Sequence, residues 1–332
     1  MVMIYNVTHS RDLDGMASAA LITRNYKMKP ENIIFFDYGD NFSDVAKEIA
    51  AKHPKKSVFI FSDVGVNRYL IGRYAKFLPR LAKGGNRIVW LDHHQWSNTE
   101  INKISKYCSL MVVGENRYYC GSDLVYRTLC KKDVQSDKVA ELAHVSDMFL
   151  KPKNSAQMAM LKRYAFGLKY YNLKPREKRD KKLRDVVFNL SQGRISNNPI
   201  NQGYAKYTRI FANAQRRLDK SSRLLLAGNA RIALGFSNSL QSTFAGIHLL
   251  KRFKADISAY VNTGDKSSAA ANCSMRSRKG GFDCLKIALK FGGGGHPQAC
   301  SFRIRKKYDF SRKADRERFV REFIKAAEKA YG

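Results

Sequence analysis

The stretch Leu91-Asp92-His93-His94-Gln95 follows directly on the apolar run Arg87-Ile88-Val89-Trp90. A strand that ends in one carboxylate and two imidazoles holds adjacent ligands at the lip of a sheet, where open α/β folds carry their chemistry. Those residue types suit a metal site, although Asp-His-His alone also fits an ordinary loop tip. Three further segments strengthen the metal reading. His9-Ser10-Arg11-Asp12-Leu13-Asp14-Gly15 is the turn after a strand over residues 3–8, the apolar run Ser57–Ser62 ends in Asp63, and Glu141–Asp147 carries His144 and Asp147 among apolar neighbours.

Each segment has a plainer alternative. Asp12 or Asp14 could cap the helix that continues from Met16, which employs one carboxylate and leaves the other unexplained. Two carboxylates and His9 converging on one point would repel unless cations lie between them. His144 and Asp147 stand at i and i+3 and could pair on one helix face, the role we favour for His144. A buried Asp147 needs a partner, and a cation is one.

The elements that must position these residues alternate strand, helix, strand, helix over the first hundred positions. A second strand is expected over Asn32–Asp37, a helix over Val66–Lys83 before the Gly84-Gly85 break, and helices over Gly121–Lys131 and Asp137–Leu150. Alternation with apolar strands predicts a doubly wound parallel sheet with its charged residues at the C-terminal edge. Further on, a long helix is expected over Gln202–Leu226, then strand, helix, strand over Ala230–Phe236, Thr243–Phe253 and Asp256–Val261. A strand over Ala269–Met275 and helices over Phe282–Lys290 and Ser311–Tyr331 complete the pattern.

At 332 residues the chain is long enough for two domains with cores of their own. Its 44% hydrophobic and 11% aromatic content is that of a globular protein. No apolar run approaches the roughly 20 residues of a membrane helix, and the N-terminus lacks the build of a signal peptide, so a cytoplasmic location is expected. Six cysteines without a CxxC pair read as reduced core thiols.

The formal net charge is +33, and it is unevenly spread. Residues 1–150 have 21 basic against 16 acidic side chains, residues 151–227 have 19 against 4, and residues 228–332 have 21 against 8. A polyanion running over the middle and C-terminal parts into an acidic, metal-filled pocket fits this asymmetry, while solubility alone is the bland account. Tyrosine and phenylalanine are interleaved with the basic residues of the middle segment. They could stack bases; for most of them, packing between helices is the better reading.

Taken in order, these motifs resemble the DHH phosphoesterase superfamily, which includes RecJ-type exonucleases, nanoRNases, family II pyrophosphatases and cyclic-dinucleotide phosphodiesterases. His9…Asp12-Leu13-Asp14-Gly15, Asp63, Asp92-His93-His94 and Asp147 look like its first four motifs. Ser274-Met275-Arg276-Ser277 and Gly292-Gly293-Gly294-Gly295-His296-Pro297 look like its accessory substrate-binding domain, with Ser301 standing where glycine often follows.

The resemblance implies a catalytic DHH domain over 1–150, a basic helical linker over 151–227 and a smaller α/β substrate-binding domain over 228–332. It implies that His9, Asp12 and Asp63 hold one divalent cation and that Asp14, Asp63, His93 and Asp147 hold a second. Asp92 would then orient an imidazole and His94 would face the substrate phosphate, making Asp63, Asp92 and His94 the catalytic group. Arg276, Gly293, Gly294, Gly295 and His296 would bind substrate. Carboxylate and imidazole ligands without thiolate suit Mn²⁺, or Mg²⁺, better than structural zinc.

The implied activity is exonucleolytic phosphodiester hydrolysis of short or single-stranded nucleic acid, RNA favoured, as in nanoRNases. The alternatives are a RecJ-like exonuclease of DNA or RNA single strands, a phosphoesterase of pAp or cyclic dinucleotides, and a non-catalytic nucleic-acid or replisome-binding relative. Homo-oligomers and replication or repair proteins are the protein partners such a chain admits; no membrane partner is expected.

Overall fold

A computed structural model describes residues 2–36, 42–52, 54–66, 70–114, 118–238, 240–264, 271–278, 280–304 and 308–331. It divides into two compact units, residues 1–207 and 208–332. Asp37 and residues 269–270, expected in strands, lie outside the described residues.

In the first unit β1 (Ile4–His9) leads to α1 (Leu13–Tyr26), β2 (Ile33–Phe36), α2 (Phe42–Ala51), β3 (Val58–Ser62), α3 (Ile71–Lys83), β4 (Arg87–Asp92), α4 (Asn98–Ser105) and β5 (Leu110–Val113). The strands form one sheet in the order β2-β1-β3-β4-β5, and all four pairings are parallel. β1 to β4 are buried almost throughout, as continuous apolar runs between two helical layers must be. The order reverses at β1 and β3, so the crevice beyond their C-terminal ends is the topological switch point, where open α/β sheets bind ligands.

Aromatic packing fixes the two strand ends on which the crevice depends. Phe61 and Trp90 are register partners of β3 and β4 and stack at 4.4 Å between centroids. The Trp90 indole N–H donates to the carbonyl of Val64 at 3.0 Å, tying down the turn that carries Asp63.

Then come α5 (Gly121–Leu129), α6 (Val134–Asp147), α7 (Ser155–Asn172), α8 (Arg176–Ser191) and α9 (Asn198–Ser221). Tyr164, Tyr171 and Tyr207 are buried, so the packing role outweighs base stacking for these three. α3 begins at Ile71, later than the expected Val66, and α6 ends at Asp147, three residues before Leu150.

The second unit contains β6 (Arg223–Ala227), β7 (Ala230–Ser237), α10 (Ser242–Phe253), β8 (Ile257–Asn262), β9 (Ala271–Ser277), α11 (Leu285–Lys290), β10 (Gly294–His296), β11 (Ala299–Ile304) and α12 (Lys313–Tyr331). Its mixed sheet runs β10-β11-β9-β8-β7-β6, with only β7 and β8 parallel. The long helix expected to reach Leu226 stops at Ser221. Leu224, Leu225 and Leu226 pair with Ala233, Ile232 and Arg231 in an antiparallel ladder, because strand pairing with β7 outweighs a helical pattern in so short an apolar run.

Candidate metal centre

His9 closes β1 and is buried. Its Nε2 lies 2.8 Å from Asp63 Oδ2 and 3.9 Å from Asp12 Oδ1. Asp12 is the N-cap of α1, accepting from the backbone N–H groups of Asp14 and Gly15, and its side chain is about half exposed. The capping and ligand readings of Asp12 are therefore compatible. Asp14, two residues on, is buried in the first turn of the helix. The two carboxylates do not share an environment, as an extended turn would have given them.

What holds Asp14 is α5. The N–H groups of Gly121 and Ser122 donate to its two oxygens at 2.7 and 2.8 Å, so the carboxylate seats on a helix N-terminus. His93 then gathers the rest, with Nε2 at 3.7 Å from Asp14 Oδ2, 3.5 Å from Asp63 Oδ1 and 3.7 Å from Asp147 Oδ2. Asp63 thus faces both His9 and His93, one from each oxygen. It adopts φ +55°, a left-handed backbone that a non-glycine residue keeps only where its surroundings impose it, and its N–H is held by Leu91 O at 2.9 Å.

Asp92 does not reach His93. Its Oδ1 lies 2.8 Å from His94 Nδ1, and its Oδ2 accepts from the Trp96 indole N–H at 2.7 Å and the His94 N–H at 3.2 Å. The imidazole it orients is His94, whose side chain is 42% exposed and whose Nδ1 also lies 3.9 Å from Asp63 Oδ1. His144 has a partner other than the expected one: its Nδ1 lies 2.6 Å from Asp123 Oδ2, in place of Asp147. Asp123 also accepts from the Cys120 N–H as part of the α5 cap. That leaves Asp147 to the cluster.

The electrostatics show how strongly charges are concentrated. Burial, Asp63 and Asp147 push Asp14 up to about 8. Burial works against a charged His9, but Asp63 first and Asp12 next raise it to about 10. His93 is likewise opposed by burial and raised by Asp63, Asp14 and Asp147 to about 9. Asp63 goes the other way: burial disfavours its charge, yet His9 and His93 hold it ionised far below the usual carboxylate range. Four carboxylates and two imidazoles sharing so small a space fit divalent cations, which would replace these protons as the compensating charge. Cys120 approaches Asp14 and Asp147, but burial drives its thiol well above the ordinary value, so it remains a neutral neighbour.

A pH dependence follows. At neutral pH Asp14, His9 and His93 hold protons that a cation must displace, so metal uptake releases protons, and apparent affinity rises with pH until about 10. Calorimetric titration with Mn²⁺ in buffers of different ionisation enthalpy measures the count. Uptake without proton release would contradict the cluster as described.

In the second unit, Arg276 on β9 is the register partner of Ala299, and Ala299 is that of His296 on β10. Residues in one row across a sheet point to one face, which places Arg276 and His296 about 10 Å apart on it. The Arg276 guanidinium reaches Thr243 Oγ1 at 3.3 Å and Met275 O at 2.9 Å. Gly293 and Gly295 stand where close strand packing leaves no room for a Cβ: on Gly295, at φ +132°, it would stand 2.6 Å from Ala299 O. Gly294 has open space around it and remains free to approach a ligand. Arg303 is exposed, while Arg305, Lys306 and Lys307 lie outside the described residues.

Three contributors had no signal in residue type or spacing: the α5 N-terminus under Asp14, Trp96 behind Asp92, and Gly121, whose absent side chain admits Asp63.

No protein-family model and no curated protein sequence matches this chain. Solved structures do. PggH from Vibrio cholerae, a pGpG-specific phosphodiesterase, is 13% identical with a TM-score of 0.55, over 99% of this chain and 100% of that one. The DHH domain of a member of the s1p family of ribosomal proteins is 17% identical with a TM-score of 0.55, over 98% of this chain and 87% of that one. Over nearly its whole length, then, this chain shares its fold with these two proteins, the second of them a DHH domain.

Proposed function

We propose that the protein is a metal-dependent phosphoesterase that hydrolyses short or single-stranded nucleic acid from an end, in the manner of nanoRNases. The observation that carries this reading is the meeting of Asp14, Asp63 and Asp147 around His93 Nε2, with His9 on the far side of Asp63, at the sheet's switch point. In this reading His9, Asp12 and Asp63 hold one cation, and Asp14, Asp63, His93 and Asp147 hold the other, Mn²⁺ or Mg²⁺ by donor type. Two such ions supply Lewis acidity at phosphorus and a water of lowered pKa.

The chain's own residues do the rest. Asp92 fixes the His94 ring through Nδ1 and raises its pKa, which suits a protonated His94 as donor to a phosphoryl oxygen. Arg276 and His296 offer two donors on one face of the second unit for an anionic group. Residues 1–150 act as catalytic segment, 151–227 as basic connection and 228–332 as substrate binder. No helix among the described residues is long and apolar enough to cross a membrane.

The fold shared with a pGpG-specific phosphodiesterase supports a short-oligonucleotide substrate. The basic excess of residues 151–227 supports a second reading, a RecJ-like exonuclease that tracks longer strands. Hydrolysis of 5′-labelled RNA and DNA, from dinucleotides to long single strands, separates them. We expect Mn²⁺-dependent cleavage strongest on the shortest RNAs and none with chelator. Steady degradation of long strands would transfer the assignment to the tracking exonuclease, and metal-independent or absent cleavage would remove both.

A further inference from the structure

α6 brings Asp147 to the cluster in its last turn and then ends in an unusual way. The Met148 N–H bonds to His144 O, the Leu150 N–H returns to Val145 O at 3.1 Å, and Phe149 between them takes φ +52°. This is a Schellman closure, and its left-handed position belongs by preference to glycine, because a Cβ there crowds the backbone. Phe149 is also 94% exposed, more than any other exposed large apolar side chain among the described residues. Backbone and solvent both disfavour phenylalanine at this place. Residues that break local rules with no structural return collect at functional sites.

The position says what the ring would meet. Two chain steps of about 3.8 Å keep the Cα of Phe149 within about 8 Å of that of Asp147, whose carboxylate touches His93. A planar group attached to a phosphoester held at the cluster is thus within a side chain's reach. Lys151, two residues on, is exposed and can follow a backbone phosphate. An exposed aromatic beside a cation is how proteins hold single-stranded bases without reading sequence.

We infer that Phe149 is the stacking platform for the nucleobase adjoining the phosphoester held by Asp14, Asp63, His93 and Asp147. The inference rests on the hydrolase reading above, and the test separates the two. With Mn²⁺ and the full-length protein, Phe149→Ala and Phe149→Gly are expected to raise KM for a dinucleotide by about 10-fold to 100-fold while kcat holds, and Phe149→Trp to restore it. The same changes should scarcely alter turnover of the matching abasic substrate. Phe149→Gly should also raise the melting midpoint by about 2–4 °C, because glycine suits the left-handed position, which a purely structural phenylalanine would not allow. An unchanged KM on the dinucleotide, or an equal loss on the abasic substrate, would overturn the inference. So would a wild-type dimer that Phe149→Gly converts to monomer with KM unchanged, since the ring would then belong to a subunit interface. If the wild type turns over neither substrate, it is the hydrolase reading that fails. Quenching of a 2-aminopurine dinucleotide by the wild type and not by Phe149→Gly still supports stacking in that case, and equal quenching by both overturns it.

Discussion

Replacing Asp63 should lower metal-dependent hydrolysis by about 1000-fold or more, since in the proposed two-ion reading several kcal/mol of charge stabilisation at phosphorus would depend on the ions it would hold. Asp63 faces both His9 and His93, with Oδ2 at 2.8 Å from His9 and Oδ1 at 3.5 Å from His93. Its loss should therefore affect both proposed cation positions together, which removing Asp12 or Asp147 would not. The backbone complicates the choice of variant. Alanine at φ +55° is less well tolerated than aspartate, whereas asparagine adopts that region and keeps the side chain's shape. Asp63→Asn should retain the wild-type circular dichroism and melting midpoint, bind fewer than two Mn²⁺ by calorimetry, and lose turnover; Asp63→Ala should lose turnover with a lower midpoint. Turnover retained in Asp63→Asn would end the two-ion assignment.

Gly121→Ala, a single added methyl outside every ligand, should cost about 100-fold in kcat/KM, the penalty for a misplacement of about 1 Å at a reacting centre. The new Cβ would stand 2.7 Å from Asp63 Cβ and 2.9 Å from its Oδ1. Either Asp63 retreats from the imidazoles, or the first turn of α5 retreats and takes the Gly121 and Ser122 N–H groups off Asp14. The stability effect is also informative. Glycine to alanine inside a helix ordinarily stabilises by up to about 1 kcal/mol, but overpacking here should destabilise by about 1–3 kcal/mol. Gly72→Ala in α3, where a Cβ meets nothing within 4 Å, is the control and should stabilise without touching activity. Parallel melting curves and steady-state kinetics on the two variants would show the contrast. Wild-type kinetics in Gly121→Ala would mean that Asp63 has room to move and that its exact position does not limit turnover.

Much of this arrangement was legible in the sequence because it is locally encoded. Uninterrupted apolar runs such as Ser57–Ser62 and Ile88–Leu91 can be buried on both faces only in a parallel sheet between helices. The residues that end those runs, Asp63 and Asp92, then fall on one edge of the sheet without further information. The same locality misled at Leu224–Leu226, where the helical pattern of α9 ran on into residues that β7 claims as a strand partner. It also misled at His144, which the spacing pairs with Asp147 three residues on along its own helix but whose partner, Asp123, comes from α5.

From its sequence alone, the chain determined the type of sheet, which carboxylates and imidazoles stand at its C-terminal edge, and the uneven spread of positive charge, since burial pattern and strand ends depend on neighbours a few residues away. Only the tertiary structure decided how those groups meet. Asp14 is seated by N–H groups 107 and 108 residues further along, Asp63 finds room beside a glycine of α5, Asp92 orients His94 and not His93, and Phe149 is left exposed beside the cluster. Each of these depends on how separate elements pack, and a side chain's spacing along the chain carries no record of which distant backbone will stand beside it.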